Sequence, residues 1–359
     1  MKELYLLRHG APLGSGTEPT RCLSRTDVPL SPQGRMQAAL LGMWLKGRVQ
    51  QTWCSPLSRC RETARLAFGP AQEAPMLREL DMGAWEGLSF HEIRARWPEL
   101  YRTRGLDPIH VIPPEGEWPE AALRRMEEAV LRIWEQTEGN AAAVTHAGVL
   151  RLLLCKAEGR PLRTLFSLSQ PYGCVNRLTV QNGHLQVLGR GEKPHPALTE
   201  MRCLQLLSAA GCPEAVIVHC RKVEEVALQM TRWLSAAGYR LDAGLVQRSA
   251  LLHDMARCEK NHAFEGARWL SEAGYPREAA IVAVHHDWCG GEIDEAAVVF
   301  WADKRVRGDQ VVPLCERFAK SAEKCRTAEA QKAHARRARA AMELEERLTL
   351  LCGKMEGIE

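Results

Sequence analysis

The first residues that could do chemistry are Arg8-His9-Gly10, which follow the apolar run Leu4–Leu7. A short run of large hydrophobic residues broken by glycine predicts a buried strand, with Arg8 and His9 at its carboxyl end. Ligands of open α/β sheets bind at that edge. Arginine presents a planar fork to phosphate oxygens, and neutral imidazole can act as a nucleophile near neutral pH. Alone, the pair would fit an ordinary loop.

Three further segments favour a phosphate site: Ser55–Arg59, Leu77–Glu79 and Thr145–Gly148. The first and last of them follow predicted strands, and each supplies a charged or imidazole side chain. A phosphoryl dianion needs two or more cations around it, an unprotonated nucleophile to attack it and an acid to protonate the leaving alcohol. The residue types in these segments satisfy those requirements.

The four segments, in this order, resemble the histidine phosphatase superfamily with its phosphoglycerate mutase-like fold, over about residues 1–190. The segment Arg21–Leu30 is most similar to the α-ribazole phosphatase branch. The resemblance implies a three-layer α/β domain that hydrolyses phosphomonoesters without a metal. It implies that His9 is the nucleophile, that Arg8, Arg59 and His146 surround the phosphate, and that Glu79 is the acid and then the base, with His9, Glu79 and His146 as the catalytic residues.

Two of these assignments have rivals, and a different reaction is also open. Arg61 competes with Arg59, and Glu86 competes with Glu79, although the Trp-Glu-Gly context of Glu86 favours a role in shaping a loop. A phosphoglycerate-type mutase would need a long cap to keep water from its phosphohistidine. The chain between Glu79 and His146 is short, which favours hydrolysis.

The second half contains five histidines and two aspartates that could hold metal, among them the adjacent pair His253-Asp254. Neighbours on a helix diverge by about 100°, so one metal held by both needs distant ligands to complete its shell. His285-His286 before Asp287 could instead cap a helix end. The set resembles the HD-domain phosphohydrolase superfamily over about residues 200–320. That resemblance implies one metal on His219, His253, Asp254 and Asp303. It implies a second metal near His262, His285 and His286, and leaves open which of the adjacent pair His285 and His286 is the ligand.

Mixed imidazole and carboxylate ligands suit a divalent transition metal, namely Mn, Fe, Zn, Co or Ni. Such a metal would support hydrolysis of a phosphate ester, and the resemblance to small bacterial HD proteins points to nucleotides. We therefore expect a bifunctional phosphohydrolase acting on small phosphorylated metabolites. The alternative is a phosphatase whose HD domain is a regulatory module that binds a nucleotide or a metal.

The elements that must position these residues differ between the two halves. Ser31-Pro32 predicts a helix start with Ser31 as N-cap, and Asn182-Gly183 predicts a hairpin turn. Beyond a linker at 189–196 the pattern is almost wholly helical. We therefore predict an α/β domain over 1–192 and an all-α HD-type bundle over 197–359. In the first half we expect strands at 4–7, 49–54 and 141–145, helices at 32–46 and 149–156, and helical segments within 90–138 broken at 112–114.

The remaining predictions come from the C-terminal helix and the composition. A charged helix from Lys320 to Leu351 could pack on its own core or on a second copy, giving a homodimer. Net charge is only +4, so we expect no nucleic-acid partner. Thirteen cysteines without a CxxC pair indicate reduced thiols and a cytoplasmic protein. No apolar run reaches the roughly 20 residues that span a bilayer, so we expect no membrane contact.

Overall fold

A computed structural model describes residues 2–16, 19–288, 290–323 and 325–353 of the chain. The chain forms two compact units, Met1–Pro196 and Ala197–Glu359. Residues 354–359, which we included in the second domain, lie outside the described residues. None of the helices described is both long and apolar enough to cross a bilayer.

The first unit is built on one six-stranded sheet of order β3-β2-β4-β1-β5-β6. Strands β1 to β4 are parallel to one another, β5 runs antiparallel to β1, and β6 runs antiparallel to β5. The strands are β1 Leu4–Arg8, β2 Gln51–Cys54, β3 Gln72–Glu73, β4 Ala141–Thr145, β5 Val175–Gln181 and β6 His184–Glu192.

Side chains of the central strands alternate between the two faces of the sheet, and helices cover both faces, which gives the three layers predicted. Leu4 and Leu6 of β1 face a core that α5 and α6 complete, whereas Tyr5 and Leu7 face a core completed by α1 and α2. The helices of this unit are α1 Pro32–Leu45, α2 Ser58–Phe68, α3 Phe90–Arg96, α4 Pro98–Leu106, α5 Pro119–Gln136 and α6 Ala147–Ala157.

The predicted helix N-cap and the predicted hairpin turn of the first unit are confirmed. The Ser31 hydroxyl accepts a hydrogen bond from Gly34 N at the start of α1. Asn182 and Gly183 both have positive φ, 51° and 77°, as a two-residue hairpin turn between β5 and β6 requires. The first compact unit ends at Pro196, within the segment 189–196 in which we place the domain boundary, and β6 continues through Glu192 in register with Val175 of β5.

The second unit consists of helices and one small hairpin. Its helices are α7 Glu200–Ala209, α8 Glu214–Ala236, α9 Ala243–Leu252, α10 His262–Glu272, α11 Pro276–Val284, α12 Glu295–Arg305, α13 Leu314–Ala322 and α14 Ala328–Cys352. The all-helical prediction missed β7 Val306–Arg307 and β8 Gln310–Val311, which pair as an antiparallel hairpin.

The predicted single helix from Lys320 onward is also wrong at its start, and one of its residues, Lys324, lies outside the described residues. Helix α13 ends at Ala322, and α14 begins afresh after Thr327. The Thr327 hydroxyl accepts from Ala330 N and so supplies the N-cap of the second helix. The apolar face of α14 packs into the core of this unit through Ala341, Leu344 and Leu348.

Candidate functional sites

The parallel strands of the first unit bring the predicted phosphate residues to one edge of the sheet. Arg8 ends β1 opposite Thr145 of β4, so that His9 and His146 follow directly. Gly10 is required at this point because a Cβ there would lie 2.3 Å from the carbonyl oxygen of Gly34 in α1. In the sequence Arg-His-Gly, Arg8 and His9 therefore supply the reactive side chains, and Gly10 lets the end of β1 approach α1 closely.

The His9 ring is buried and oriented by its own backbone. Its Nδ1 lies 2.7 Å from the carbonyl oxygen of Gly10, which accepts only from an N–H, so Nδ1 carries the proton. Nε2 then holds the free lone pair and accepts from Arg59 Nε at 3.2 Å. Burial first, then the charges of Arg59 and Arg8, hold the pKa of His9 well below its ordinary value. The ring is thus neutral and nucleophilic at neutral pH.

Arg59 and His146 lie against the same imidazole. Arg59 is almost fully buried, and its Nη2 lies 3.2 Å from Nδ1 of His146. The other ring nitrogen of His146 is 2.8 Å from the hydroxyl oxygen of Ser55, a residue to which sequence reasoning gave no role. The His9 and His146 ring centroids are 5.1 Å apart. Burial, followed by the His9 and Arg59 charges, also depresses the pKa of His146.

Arg8 completes the cluster of cations. One guanidinium nitrogen donates to the carbonyl oxygen of Gln170, and its buried Nε lacks a hydrogen-bond partner in the described part of the chain. The guanidinium lies over the Tyr172 ring at 3.7 Å from the centroid. Tyr172 also contacts His9, and the sequence analysis missed it. Its only local signal is the Pro171-Tyr172-Gly173 turn before β5.

Glu79 occupies a cradle at the start of α6. Its carboxylate accepts from Gly148 N at 2.9 Å and from Val149 N at 3.1 Å. A Cβ on Gly148 would lie 2.6 Å from the carboxylate, so the glycine that follows His146-Ala147 makes room for it. Glu79, His9, Arg8 and Arg59 all line one cavity of about 1060 Å³.

The two rivals are placed differently. Arg61 is half-exposed and its nearest carboxylate is that of Glu73, 3.6 Å away. Glu86 bonds to the loop at Ser24–Thr26 and makes no contact with His9. The geometry therefore favours Arg59 over Arg61 and Glu79 over Glu86.

In the second unit, all seven predicted ligands lie together as two adjacent groups. One group is His219, His253 and Asp254, and the other is His262, His285 and His286, each with its ligand atoms within 4.8 Å of one another. Asp303 joins the first group, because its Oδ1 is 3.1 Å from His219 Nε2 and 3.6 Å from His253 Nε2.

Asp254 stands between the two groups. Its Oδ2 lies 3.7 Å from His253 Nε2, whereas its Oδ1 lies 3.1 Å from His262 Nε2 and 3.7 Å from His285 Nε2. His253 and Asp254 do not share a helix interior as we reasoned, because α9 ends at Leu252. Asp254 follows in a turn, so both side chains of the pair face the same point.

These residues fit a divalent metal, because several of their buried nitrogen and oxygen atoms have no hydrogen-bond partner among the described residues. The Nε2 atoms of His253 and His285 and the Oδ1 of Asp254 are buried without hydrogen-bond partners among the described residues. Each histidine meanwhile donates from Nδ1 to a backbone carbonyl, that of Ala250 and that of Val282, both at 2.7 Å. An imidazole so tethered presents Nε2 to a metal. Burial also lowers the pKa of His286 to about 3, so that imidazole is neutral, the form that binds metal.

Two features that sequence reasoning missed support this cluster. The β7–β8 turn places the Gly308 carbonyl 3.3 Å from His219 Nδ1, which orients that ring. Lys304 is buried, and its Nζ donates to Asp303 Oδ2 and to the His285 carbonyl. The short hairpin had no distinct pattern in the sequence, and the position of Lys304 next to Asp303 did not by itself give the lysine a role.

Comparison with known proteins agrees with this geometry. Residues 4–193 match the family model of the histidine phosphatase superfamily (branch 1), and residues 216–308 match that of the HD domain. An adenosylcobalamin/alpha-ribazole phosphatase of Escherichia coli (strain K12) is 32% identical over 189 residues, 49% of this chain and 89% of that protein.

Two further relatives extend the comparison. A 6-phosphofructo-2-kinase/fructose-2,6-bisphosphatase of Gallus gallus is 30% identical over 156 residues, 43% of this chain and 33% of that protein. Among solved structures, YhfR of Bacillus stearothermophilus is 30% identical with a TM-score of 0.51, covering 54% of this chain and 98% of that one.

Proposed function

This chain belongs to the histidine phosphatase superfamily, and on that premise we propose that its first unit hydrolyses phosphomonoesters through a phosphohistidine. The observation that carries the proposal is the His9 ring, whose protonated Nδ1 is tethered to Gly10 while Nε2 meets Arg59 in the large cavity. The relatives from Escherichia coli and Gallus gallus reported above each have a phosphatase in their names.

The proposed reaction has two displacements at phosphorus. The lone pair on His9 Nε2 attacks the phosphorus atom, the bond to the leaving oxygen breaks, and Glu79 gives that oxygen a proton. Arg8, Arg59 and His146 hold the equatorial oxygens, whose charge grows in the transition state. Water then loses a proton to Glu79 and attacks the phosphohistidine, which releases inorganic phosphate and restores the imidazole.

We further propose that the second unit is a metal-dependent phosphohydrolase. His219, His253, Asp254 and Asp303 would hold one divalent metal, and His262, His285 and His286 would hold a second. A bound metal of this kind lowers the pKa of its water and polarises a phosphoryl oxygen. The buried, unpartnered nitrogens of His253 and His285 are the observation that supports this assignment.

The relatives bear on the substrate class of the first unit only, and the nucleotide proposed for the second unit rests on its resemblance to small bacterial HD proteins. We propose small phosphorylated metabolites, with an α-ribazole-type phosphate for the first unit and a nucleotide for the second. The linkage of the two units in one chain suggests successive steps on one metabolite or two activities in one pathway. Unrelated substrates at the two sites would contradict that suggestion.

One pair of variants tests both halves of the proposal. His9→Ala and Asp254→Ala are assayed on p-nitrophenyl phosphate and on bis-p-nitrophenyl phosphate, with EDTA and with Mn²⁺. We expect His9→Ala to abolish the EDTA-resistant phosphomonoesterase and Asp254→Ala to abolish the Mn²⁺-dependent activity. Retention of the EDTA-resistant activity in His9→Ala would refute the phosphohistidine.

Two other outcomes would point to the alternatives. If Asp254→Ala changes only the response of the first activity to added nucleotides, the HD unit is regulatory. If the wild-type protein moves phosphate between positions of a phosphoglycerate and releases little free phosphate, the first unit is a mutase.

A further inference from the structure

Glu86 forms a concentrated set of hydrogen bonds near the phosphate site without touching the reacting groups. It lies just after the short 3-10 turn Gly83–Trp85, and both carboxylate oxygens are directed at one loop, Ser24–Thr26. Three backbone N–H groups of that loop donate to it at 2.9 to 3.0 Å. The hydroxyl groups of Ser24 and Thr26 donate as well. The carboxylate thus fixes three consecutive residues of a chain segment that lacks helix or strand structure.

The same loop holds Arg59 from its other side. The carbonyl oxygen of Thr26 accepts from Arg59 Nη1 at 2.8 Å, and that of Ser24 accepts from Nη2 at 2.5 Å. The guanidinium meets His9 and His146 through Nε and Nη2. A continuous chain of hydrogen bonds therefore runs from Glu86 to the cation that faces the nucleophile through the peptide group between Ser24 and Arg25, whose N–H donates to Glu86 and whose carbonyl accepts from Arg59.

We propose that Glu86 is a positioning residue that aims Arg59 at the phosphoryl group by fixing the carbonyls of Ser24 and Thr26. This inference rests on the proposed function of the first unit. It assigns a second acidic residue to the reaction, one that acts through Arg59 and has no contact with substrate.

The indirect arrangement has a physical advantage over a direct ion pair. No carboxylate lies within ion-pairing distance of Arg59 in the parts of the chain that the structure covers, so the guanidinium is oriented by neutral carbonyls. A carboxylate in contact would cancel part of the positive charge that the phosphate needs. Glu86 keeps its own charge on the far side of the loop. There burial opposes ionisation, but the hydrogen bonds from Ser24 and Thr26 outweigh it and lower the pKa of Glu86.

The simpler alternative is that Glu86 merely stabilises a surface turn. Glu92 provides the matched control, because its carboxylate likewise accepts a backbone N–H and a hydroxyl, both from Ser89, in the capping box of α3. Glu92 has no hydrogen bond to Ser24–Thr26 or to Arg59. Glu86→Gln and Glu92→Gln thus remove equivalent types of contact, and only the first weakens the support of Arg59.

The experiment measures kcat and KM on p-nitrophenyl phosphate and the Ki of inorganic orthovanadate in the full chain, after metal has been removed with EDTA and the EDTA itself removed by dialysis. A catalytic group misplaced by about 1 Å costs up to ~100-fold. We therefore expect Glu86→Gln to lower kcat roughly 10- to 100-fold and to raise the vanadate Ki, with Glu92→Gln within about twofold of wild type. Thr26→Val removes one hydrogen-bond donor to Glu86, so it should also lower kcat and raise the vanadate Ki, by smaller factors than Glu86→Gln. This variant replaces Glu86→Gln in the test if Glu86→Gln does not fold.

Arg59→Met separates this inference from the function on which it rests. In that background Glu86→Gln should cause no further change in the vanadate Ki, because the group through which it acts is gone. Equal effects of Glu86→Gln and Glu92→Gln, or an undiminished effect of Glu86→Gln without Arg59, would overturn the positioning role. If Arg59→Met itself leaves the vanadate Ki unchanged, the proposed phosphate site fails instead.

Discussion

Gly148 leaves no room for a side chain beside Glu79 at the proposed active site, and this close approach yields a sharp prediction for Gly148→Ala. The added Cβ would lie 2.6 Å from the Glu79 carboxylate, whereas ordinary contacts begin at 3.4 Å. Helix α6 is fixed by the buried core, so the carboxylate has to recede by about 0.8 Å. Its hydrogen bonds from Gly148 N and Val149 N would then lengthen or break.

The expected loss is in kcat, because in the proposed mechanism Glu79 acts on the leaving oxygen, and the cations proposed to bind the phosphate are untouched. A displacement near 1 Å predicts a decrease in kcat of up to ~100-fold with little change in KM. The fold should not suffer, since alanine is a better helix former than glycine by about 1 kcal/mol. Steady-state kinetics on p-nitrophenyl phosphate and thermal unfolding of the same sample give both readings.

Glu79→Ala supplies the control for this prediction. Without the carboxylate there is nothing for the new methyl group to displace, so Gly148→Ala should add no further loss in the Glu79→Ala background. A wild-type kcat in Gly148→Ala would refute the reasoning. So would a loss of the same size with and without Glu79, because the methyl group would then act on something else.

Two other predictions concern the imidazoles and the metal cluster. Because the pKa values of His9 and His146 are lowered, both rings stay neutral as the pH falls through 6.5. We therefore expect that kcat/KM, corrected for ionisation of the ester, does not decrease as the pH is lowered through that value. A decrease centred near pH 6.5 would contradict this prediction. Lys304→Met removes the donor to Asp303 Oδ2 and to the His285 carbonyl, and should weaken Mn²⁺ binding, measured by calorimetry, by about 10- to 100-fold. Lys222→Met, which removes only the ion pair with Glu225 on α8, is its control, and equal Mn²⁺ affinities in the two variants would count against the role of Lys304.

Local patterns predicted the residues that stand at the ends of regular elements. His9 and His146 follow parallel strands, and parallel strands end at one edge, so their meeting could be expected from order alone. Ser31 and Asn182-Gly183 were equally readable because a cap or a tight turn depends on neighbours in sequence. The family resemblance then assigned roles that spacing by itself could not give.

Residues that act across long stretches of chain were not predictable in this way. Glu86 reaches Ser24 across sixty-two positions, and Ser55 reaches His146 across ninety-one. In both pairs, the sequence around one residue does not indicate which residue it contacts. The β7–β8 hairpin was missed for a different reason: its strands have two residues each, too short for an alternating pattern to show.

The same hydrogen-bond arrangement of histidine occurs at both sites, and it explains how one type of side chain can serve two chemistries. In His9, His253 and His285 a backbone carbonyl accepts from Nδ1 at 2.7 Å, which fixes the tautomer and leaves the Nε2 lone pair free. What differs is the charge around that lone pair. Arg59 and Arg8 surround His9 with positive charge, which suits an anionic phosphoryl group and repels a metal cation. Asp254 and Asp303 surround His253 with negative charge, which suits a divalent metal. The neighbouring charges therefore decide whether such an imidazole acts as a nucleophile or as a ligand.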